Sequence, residues 1–147
     1  MNYLLNTSIL LHLFRNSPKV EFLKTTISSD STNIVKISIV SQAELLSIGR
    51  QNRWGDRKIK DLIKLIHEFL IIPIDNEEIV MKYAEIDAYS QGKLKHQPLP
   101  KGLTARNMGK NDLWIAATAS LTNSILVSTD HDFSHLRNTF LSLELID

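Results

Sequence analysis

Apolar positions fall into two rhythms along the chain, and the rhythm changes at nearly every turn signal. "NYLLN" (residues 2–6), "NIVKISIVS" (33–41), "LIIPI" (70–74), "SILVST" (124–129) and "LSLELI" (141–146) are short apolar runs that predict five strands. Between them the spacing turns helical. "SILLHLFRN" predicts a helix with Ser8 near its start, and "SPKVEFLKTTISS" a second with Pro18 in its first turn. "SQAELLSIGRQ" predicts a third, with Ser41 as its N-cap. In "GDRKIKDLIKLIHEF" the residues Ile59, Leu62, Ile63, Leu65 and Ile66 line one helical face. "NEEIVMKYAEIDAYSQ" is a helix opened by Asp75 or Asn76, with acids in its first turn. "KNDLWIAATASLTN" carries Leu113, Ile115, Ala116, Ala117 and Ala119, small enough to pack closely on a sheet, and Trp114 reads as core. "DHDFSHL" reads as a turn or short helix.

Strands alternating with helices predict an α/β fold of three layers, α/β/α, with a mostly parallel central sheet in a single domain over residues 1–147. Such folds bind ligands beyond the carboxyl ends of their strands. The segment from Gly92 to Gly109 shows neither rhythm and holds Pro98 and Pro100, so it is a long loop of the kind that carries function or disorder.

Composition narrows the class. Hydrophobic residues make up 43% and charged residues 22%, which places the chain among globular proteins. No cysteine is present, which excludes disulfides and thiolate metal sites and fits a reducing compartment. No apolar run approaches a bilayer span, and the N-terminus carries neither a basic leader nor a small-residue cleavage site. A cytoplasmic protein without membrane attachment is expected. The net charge of +1 is uninformative, but its distribution is not. Arg50, Arg53, Arg57, Lys58 and Lys60 cluster in "GRQNRWGDRKIK", and Lys93, Lys95, Lys101, Arg106 and Lys110 fall in or just past the long loop without an acid among them. Either is a solvated face or a rim that attracts a polyanion.

Three strand exits or adjoining helix starts carry acids: Glu44 in "SQAEL", Asp112 in "KNDLW" and Asp130 in "LVSTD". Asn6 closes the first strand in the matching position. Singly, each acid has an ordinary explanation: Asn111 and Asp112 as helix caps, Asp130 as a turn residue, Glu44 as a first-turn acid. Together they point to one edge of the sheet. Two carboxylates about 4 Å apart repel by up to about 4 kcal/mol at an effective dielectric near 20. A divalent cation that prefers oxygen ligands, Mg²⁺ or Mn²⁺, removes that penalty.

"LLNTSIL", "VSQAELLSIG", "KNDLWIAATA" and "LVSTDHDF", in this order and spacing, resemble a PIN-domain ribonuclease, specifically the VapC-type toxin of bacterial toxin–antitoxin pairs. The resemblance covers almost the whole chain, and "NDLWIAATA" followed by "STDHDF" is its most specific part. It implies a metal-dependent endoribonuclease that hydrolyses phosphodiester bonds of tRNA or another structured RNA. Asn6, Glu44, Asp112 and Asp130 then occupy the catalytic and metal-binding positions. Thr7, Asn111, Asp132 and Ser41 would support those carboxylates, Asp132 as a structural acid and Ser41 first as a cap. Lys93, Lys95, Lys101, Arg106 and Lys110 would track the RNA backbone. The resemblance also implies a small VapB-like antitoxin that covers the acidic site, and a homodimer.

Asn6 departs from the pattern, which has an acid there. An amide removes a full negative charge, so the chain is expected to bind metal weakly and to be impaired or inactive. Three explanations fit: an acid exchanged to inactivate a toxin, a naturally inactive relative, and an enzyme that works with Asn. A nonenzymatic RNA- or protein-binding module on the same fold is the rival reading. His131 and His135 have the i, i+4 spacing of zinc ligands but lack a third partner, and Trp54 is either packing, an oligomer contact or a base-stacking platform. A phospho-signalling receiver is excluded by the register of its acids, and a nucleotide-triphosphate binder by the lack of a Gly-rich phosphate loop.

Overall fold

The computed structural model describes residues 1–147, the side chain of Phe22 excepted. Five strands, β1 (Asn2–Leu5), β2 (Ile34–Ser38), β3 (Leu70–Ile72), β4 (Ile125–Ser128) and β5 (Ser142–Leu145), form one sheet in the order β3-β2-β1-β4-β5. Every pairing is parallel. The helices are α1 (Thr7–Phe14), α2 (Glu21–Ser28), α3 (Ile39–Gln51), α4 (Asp56–Ile66), α5 (Glu77–Ser90) and α6 (Lys110–Leu121), and they cover both faces of the sheet. The expected α/β/α layering is the one observed. From β1 the chain winds outward to β2 and β3, then returns to place β4 on the other side of β1. The winding therefore reverses between β1 and β4, where the carboxyl ends of neighbouring strands open a crevice.

Side-chain alternation explains the two cores. On β1, Leu4 turns to one face and Tyr3 and Leu5 to the other. Leu4 pairs in register with Leu126 and Leu5 with Val127, so each strand feeds both layers at the same height. The Leu4 face packs on α5 and α6, using Ile79, Ile86, Tyr89, Ile115 and the three alanines of α6. The opposite face packs on α1 to α4 through Ile9, Leu10, Leu45, Leu62 and Ile66. Full burial of one such Leu or Ile contributes about 1.5–3 kcal/mol. The glycine at position 49 lets α3 and α4 approach: a Cβ there would lie 2.7 Å from Ile59 Cδ1 and 3.2 Å from Trp54 Cε3.

The structure departs from the sequence reading at several points. The β-branched run at residues 33–41 does not stay extended; β2 stops at Ser38, whose Oγ accepts from Val40 N at 3.1 Å and caps α3. Ser41 is consequently not a cap but a buried residue of the first turns of α3. The single helix expected over residues 17–29 is a 3₁₀ turn, Pro18–Val20, followed by α2, because Ser17 Oγ accepts from Lys19 N and tightens the entry. Trp114 is half-buried rather than core, lying against Tyr83 with ring centroids 4.2 Å apart.

The long loop holds neither helix nor strand. It is tied down nonetheless. Gly92, at φ 71°, turns the chain out of α5, and Arg106 N donates to Ser90 O at 2.8 Å. Leu94, Leu99 and Met108 pack on the α5–α6 core.

Candidate active site

The crevice begins with Asn6. Its backbone N–H continues the β1–β4 ladder to Val127 O at 2.9 Å, and its carbonyl starts α1 by accepting from Ile9 N and Leu10 N. Ladder and helix together fix the side chain, which is buried at 5% exposure and donates through Nδ2 to Ser128 Oγ at 2.8 Å. Ser128 Oγ also accepts from Asp130 N at 2.9 Å. One hydroxyl therefore joins the ends of β1 and β4.

Glu44 reaches the same crevice from α3. Thr7 Oγ1 lies 2.7 Å from Glu44 Oε1 and 2.9 Å from Ser41 Oγ. An ionised carboxylate only accepts, so the single Thr7 proton goes to Glu44 and the Ser41 hydroxyl donates to Thr7. Thr7 and Ser41 are both buried, and the chain of bonds holds α3 against the start of α1. Glu44 itself is half-buried; with Asn111 it lines a cleft of about 460 Å³ between α3 and α6. Asn111 is exposed and, among the described residues, bonds no acid.

Asp112 sits in the first turn of α6, where Gly109 takes the N-cap position and no side chain caps. Asp112 is thus free of capping duty. Its carboxyl is pushed up to about 6, first by partial burial and then by the negative charges of Asp130, Glu44 and Asp132. Asp130 does cap: its Oδ1 accepts from Asp132 N at 2.8 Å and starts the 3₁₀ turn His131–Leu136. Asp132 is exposed at the rim.

Four chain segments thus deliver three acids and an amide to one sheet edge. Among the described residues no three His, Asp or Glu side chains are grouped closely enough to hold an ion alone. The donors are hard carboxylate and hydroxyl oxygens, and burial together with the neighbouring carboxylates disfavours the ionised form of Asp112. That combination suits a Mg²⁺ or Mn²⁺ ion that keeps several of its waters, and it does not suit zinc.

Other sequence-selected residues separate. Lys93, Lys95, Lys101 and Lys110 are exposed and Arg106 is half-buried along the loop. Trp54 packs: it tilts against Phe14 at 5.3 Å, and Lys58 Nζ stands 4.2 Å over its ring. His131 and His135 do not act together. His131 is exposed beside Asp147, whereas His135 is buried with Nε2 2.7 Å from Ser90 Oγ. His135 Nδ1 makes no hydrogen bond of ordinary geometry. Burial, followed by the Arg106 charge, lowers the His135 pKa, with Asp132 opposing. Sequence reasoning missed Ser128 and Ser90, since isolated serines carry no periodic signal.

The PIN domain family matches residues 3–138. "Ribonuclease VapC1" of Haemophilus influenzae (strain R2866) is 30% identical over 130 residues, covering 87% of this chain and 86% of that protein. Among solved structures, VapBC2 from Rickettsia felis, bound to a DNA fragment from its promoter, superposes with a TM-score of 0.77 at 24% identity over 100% of both chains. VapBC-1 from nontypeable Haemophilus influenzae superposes with a TM-score of 0.74 at 25% identity, covering 99% of this chain and 98% of that one.

Proposed function

As the chain belongs to the PIN-domain family, in its VapC-type ribonuclease branch, we propose that it is built to hydrolyse RNA phosphodiester bonds with a divalent cation and that Asn6 leaves it impaired. The observation that supports this most is the crowding of negative charge on Asp112 at the point where the sheet reverses its winding. A structural acid has no reason to sit half-buried beside two others.

Glu44, Asp112 and Asp130 would hold Mg²⁺ or Mn²⁺, with position 6 completing the set when it is an acid. A bound ion supplies an activated water and neutralises charge on the phosphoryl and leaving oxygens. The residues of the chain do the rest. Thr7 and Ser41 aim the Glu44 carboxylate, Ser128 sets position 6 against Asp130, and the basic loop holds the RNA backbone. Asn6 presents an amide N–H to Ser128 where a carboxylate would accept, so the set lacks one negative charge.

The RNA is a tRNA or another structured RNA, and the partner a VapB-like antitoxin that covers the acids, as the VapBC pairing of the structural relatives suggests. A homodimer and a cytoplasmic setting complete the reading. No helix is long and apolar enough to cross a membrane.

The satisfied Asn6–Ser128 bond favours one alternative, a module that binds RNA or protein without cutting. Assaying RNA cleavage by the Asn6→Asp variant with Mg²⁺ or Mn²⁺ separates the two. Metal-dependent cleavage supports the nuclease, and an inert variant supports the module.

A further inference from the structure

Next to the acidic crevice lies a second cavity, of about 280 Å³, lined by Thr104, Arg106, Asn107, Met108 and Gly109 of the long loop and by Asp132. It adjoins the crevice at two points. Gly109 caps the helix that carries Asp112, with space for a Cβ 3.7 Å from Asp112 Oδ2, and Asp132 N donates to Asp130 Oδ1. Its loop wall is fixed from behind. The Arg106 backbone donates to Ser90 O, Met108 Sδ lies 3.4 Å from Ser90 Oγ, and that hydroxyl meets buried His135 at 2.7 Å. The loop therefore presents a wall with a definite shape beside the scissile position rather than a flexible strand of lysines.

We propose that this cavity is the base-specificity subsite of the nuclease, receiving the nucleobase next to the cleaved phosphate, with guanine preferred. This rests on the ribonuclease reading given above. The chemistry of the lining selects a base over a phosphate, because the Asp132 carboxylate repels an anion and accepts N–H donors. Asn107 and Arg106 supply donors for an acceptor, and the Met108 thioether gives an apolar surface for a ring. The volume is ample for one purine. Guanine alone among the four RNA bases sets two N–H donors side by side, matching a carboxylate, with a carbonyl acceptor next to them. Single-stranded RNA is read on such edges once a base is splayed out. Neither Thr104 nor Asn107 is needed by the metal chemistry or by the core, which leaves both free to discriminate between bases.

The chain as it stands, with Asn6, permits the test without cleavage. Fluorescence anisotropy with labelled oligouridylate, and with the same strand bearing one central G, A or C, measures base preference directly. The G-bearing strand is expected to bind about tenfold tighter than oligouridylate, the scale of one well-made base contact. Asn107→Ala should flatten that preference while affinity for oligouridylate and its salt dependence stay near those of the parent. Lack of measurable binding to any strand, no preference for G in the parent, or equal weakening of all four strands by Asn107→Ala overturns the proposal. The two readings fail separately. An Asn6→Asp variant inert toward RNA, with the G preference intact, sinks the nuclease and spares the subsite; cleavage without base preference does the reverse.

Discussion

Asn6 Nδ2 donates to Ser128 Oγ at 2.8 Å and thereby ties the carboxyl end of β1 to that of β4. An aspartate in the same place reverses the polarity of this bond. The Ser128 hydroxyl then donates to the carboxylate while still accepting from Asp130 N, so the backbone needs no adjustment. Asn6→Asp is therefore expected to fold and to raise Mg²⁺- or Mn²⁺-dependent RNA cleavage by roughly 100-fold, the scale of restoring one group that acts on transition-state charge. A gel assay with and without chelator reads the outcome. The added charge should also lower the metal-free melting temperature and make it rise with Mg²⁺.

Asp112 gives the chain a pH signature. Its carboxyl titrates at about 6 in the folded protein against 3.8 in the unfolded chain. Between those values the folded state binds more protons, so stability from this group is greatest at low pH and falls as pH rises from about 4 to about 6. The loss is on the order of 1 kcal/mol, because solvent screens a half-exposed carboxyl. Asp112→Asn should abolish the fall, seen as urea midpoints that no longer drop across that window relative to the parent. Millimolar Mg²⁺ at pH 7 should raise the melting temperature of the parent and leave the Asp112→Asn variant nearly unmoved.

Thr7 is the donor that aims Glu44. Thr7→Val keeps the shape and removes the proton, at a stability cost of about 1 kcal/mol. In an Asn6→Asp background it should lower kcat about tenfold with KM little changed, since orientation rather than RNA affinity is lost. Thr7→Ser should restore most of the rate.

Ser90→Ala leaves buried His135 Nε2 without its hydroxyl partner and should cost about 1–3 kcal/mol in denaturant titrations. The lowered pKa of His135 adds an acid limit. Stability that depends on the neutral ring is complete above pH 6.5 and is lost as pH falls below it, opposite in sign to the Asp112 effect. Comparing Asp112→Asn with the Asp112→Asn, His135→Gln double variant at pH 5.5 and 7.5 isolates this contribution.

The exposed lysines of the loop are expected to act on RNA affinity alone. Changing Lys93, Lys95 and Lys101 together to Ala should weaken single-stranded RNA binding at 50 mM salt and reduce the slope of log K against log salt by roughly 2, about 0.7 for each phosphate released. Thermal midpoints should hold, as none of the three is buried.

Periodicity made the layers legible, and the acids at strand exits made the crevice legible, because both follow from rules that act over a few residues. What stayed hidden needed distant partners. Ile39 and Val40 read as strand by their branching, yet Ser38 caps a helix through them and Val40 finds its burial in the α5–α6 core. Ser41 read as a cap from its place in the string and proved to be a link in the hydrogen-bonded chain to Thr7. His135 showed in the sequence only an i, i+4 spacing to His131 without a third metal ligand, whereas its burial against Ser90 depends on a fold that brings α5 to the 3₁₀ turn. Asn6 was visible as a misfit from the start. Its bond to Ser128, at the far end of the chain, was not.

The crevice draws on β1, α3, α6 and the exit of β4, which spreads its parts from near the start of the polypeptide to Asp130. A ribosome making this protein therefore carries an incomplete crevice for most of translation. Shortened products that stop before β4 lack the strand on which β1 closes, and no proteolytic fragment from either half contains the complete set.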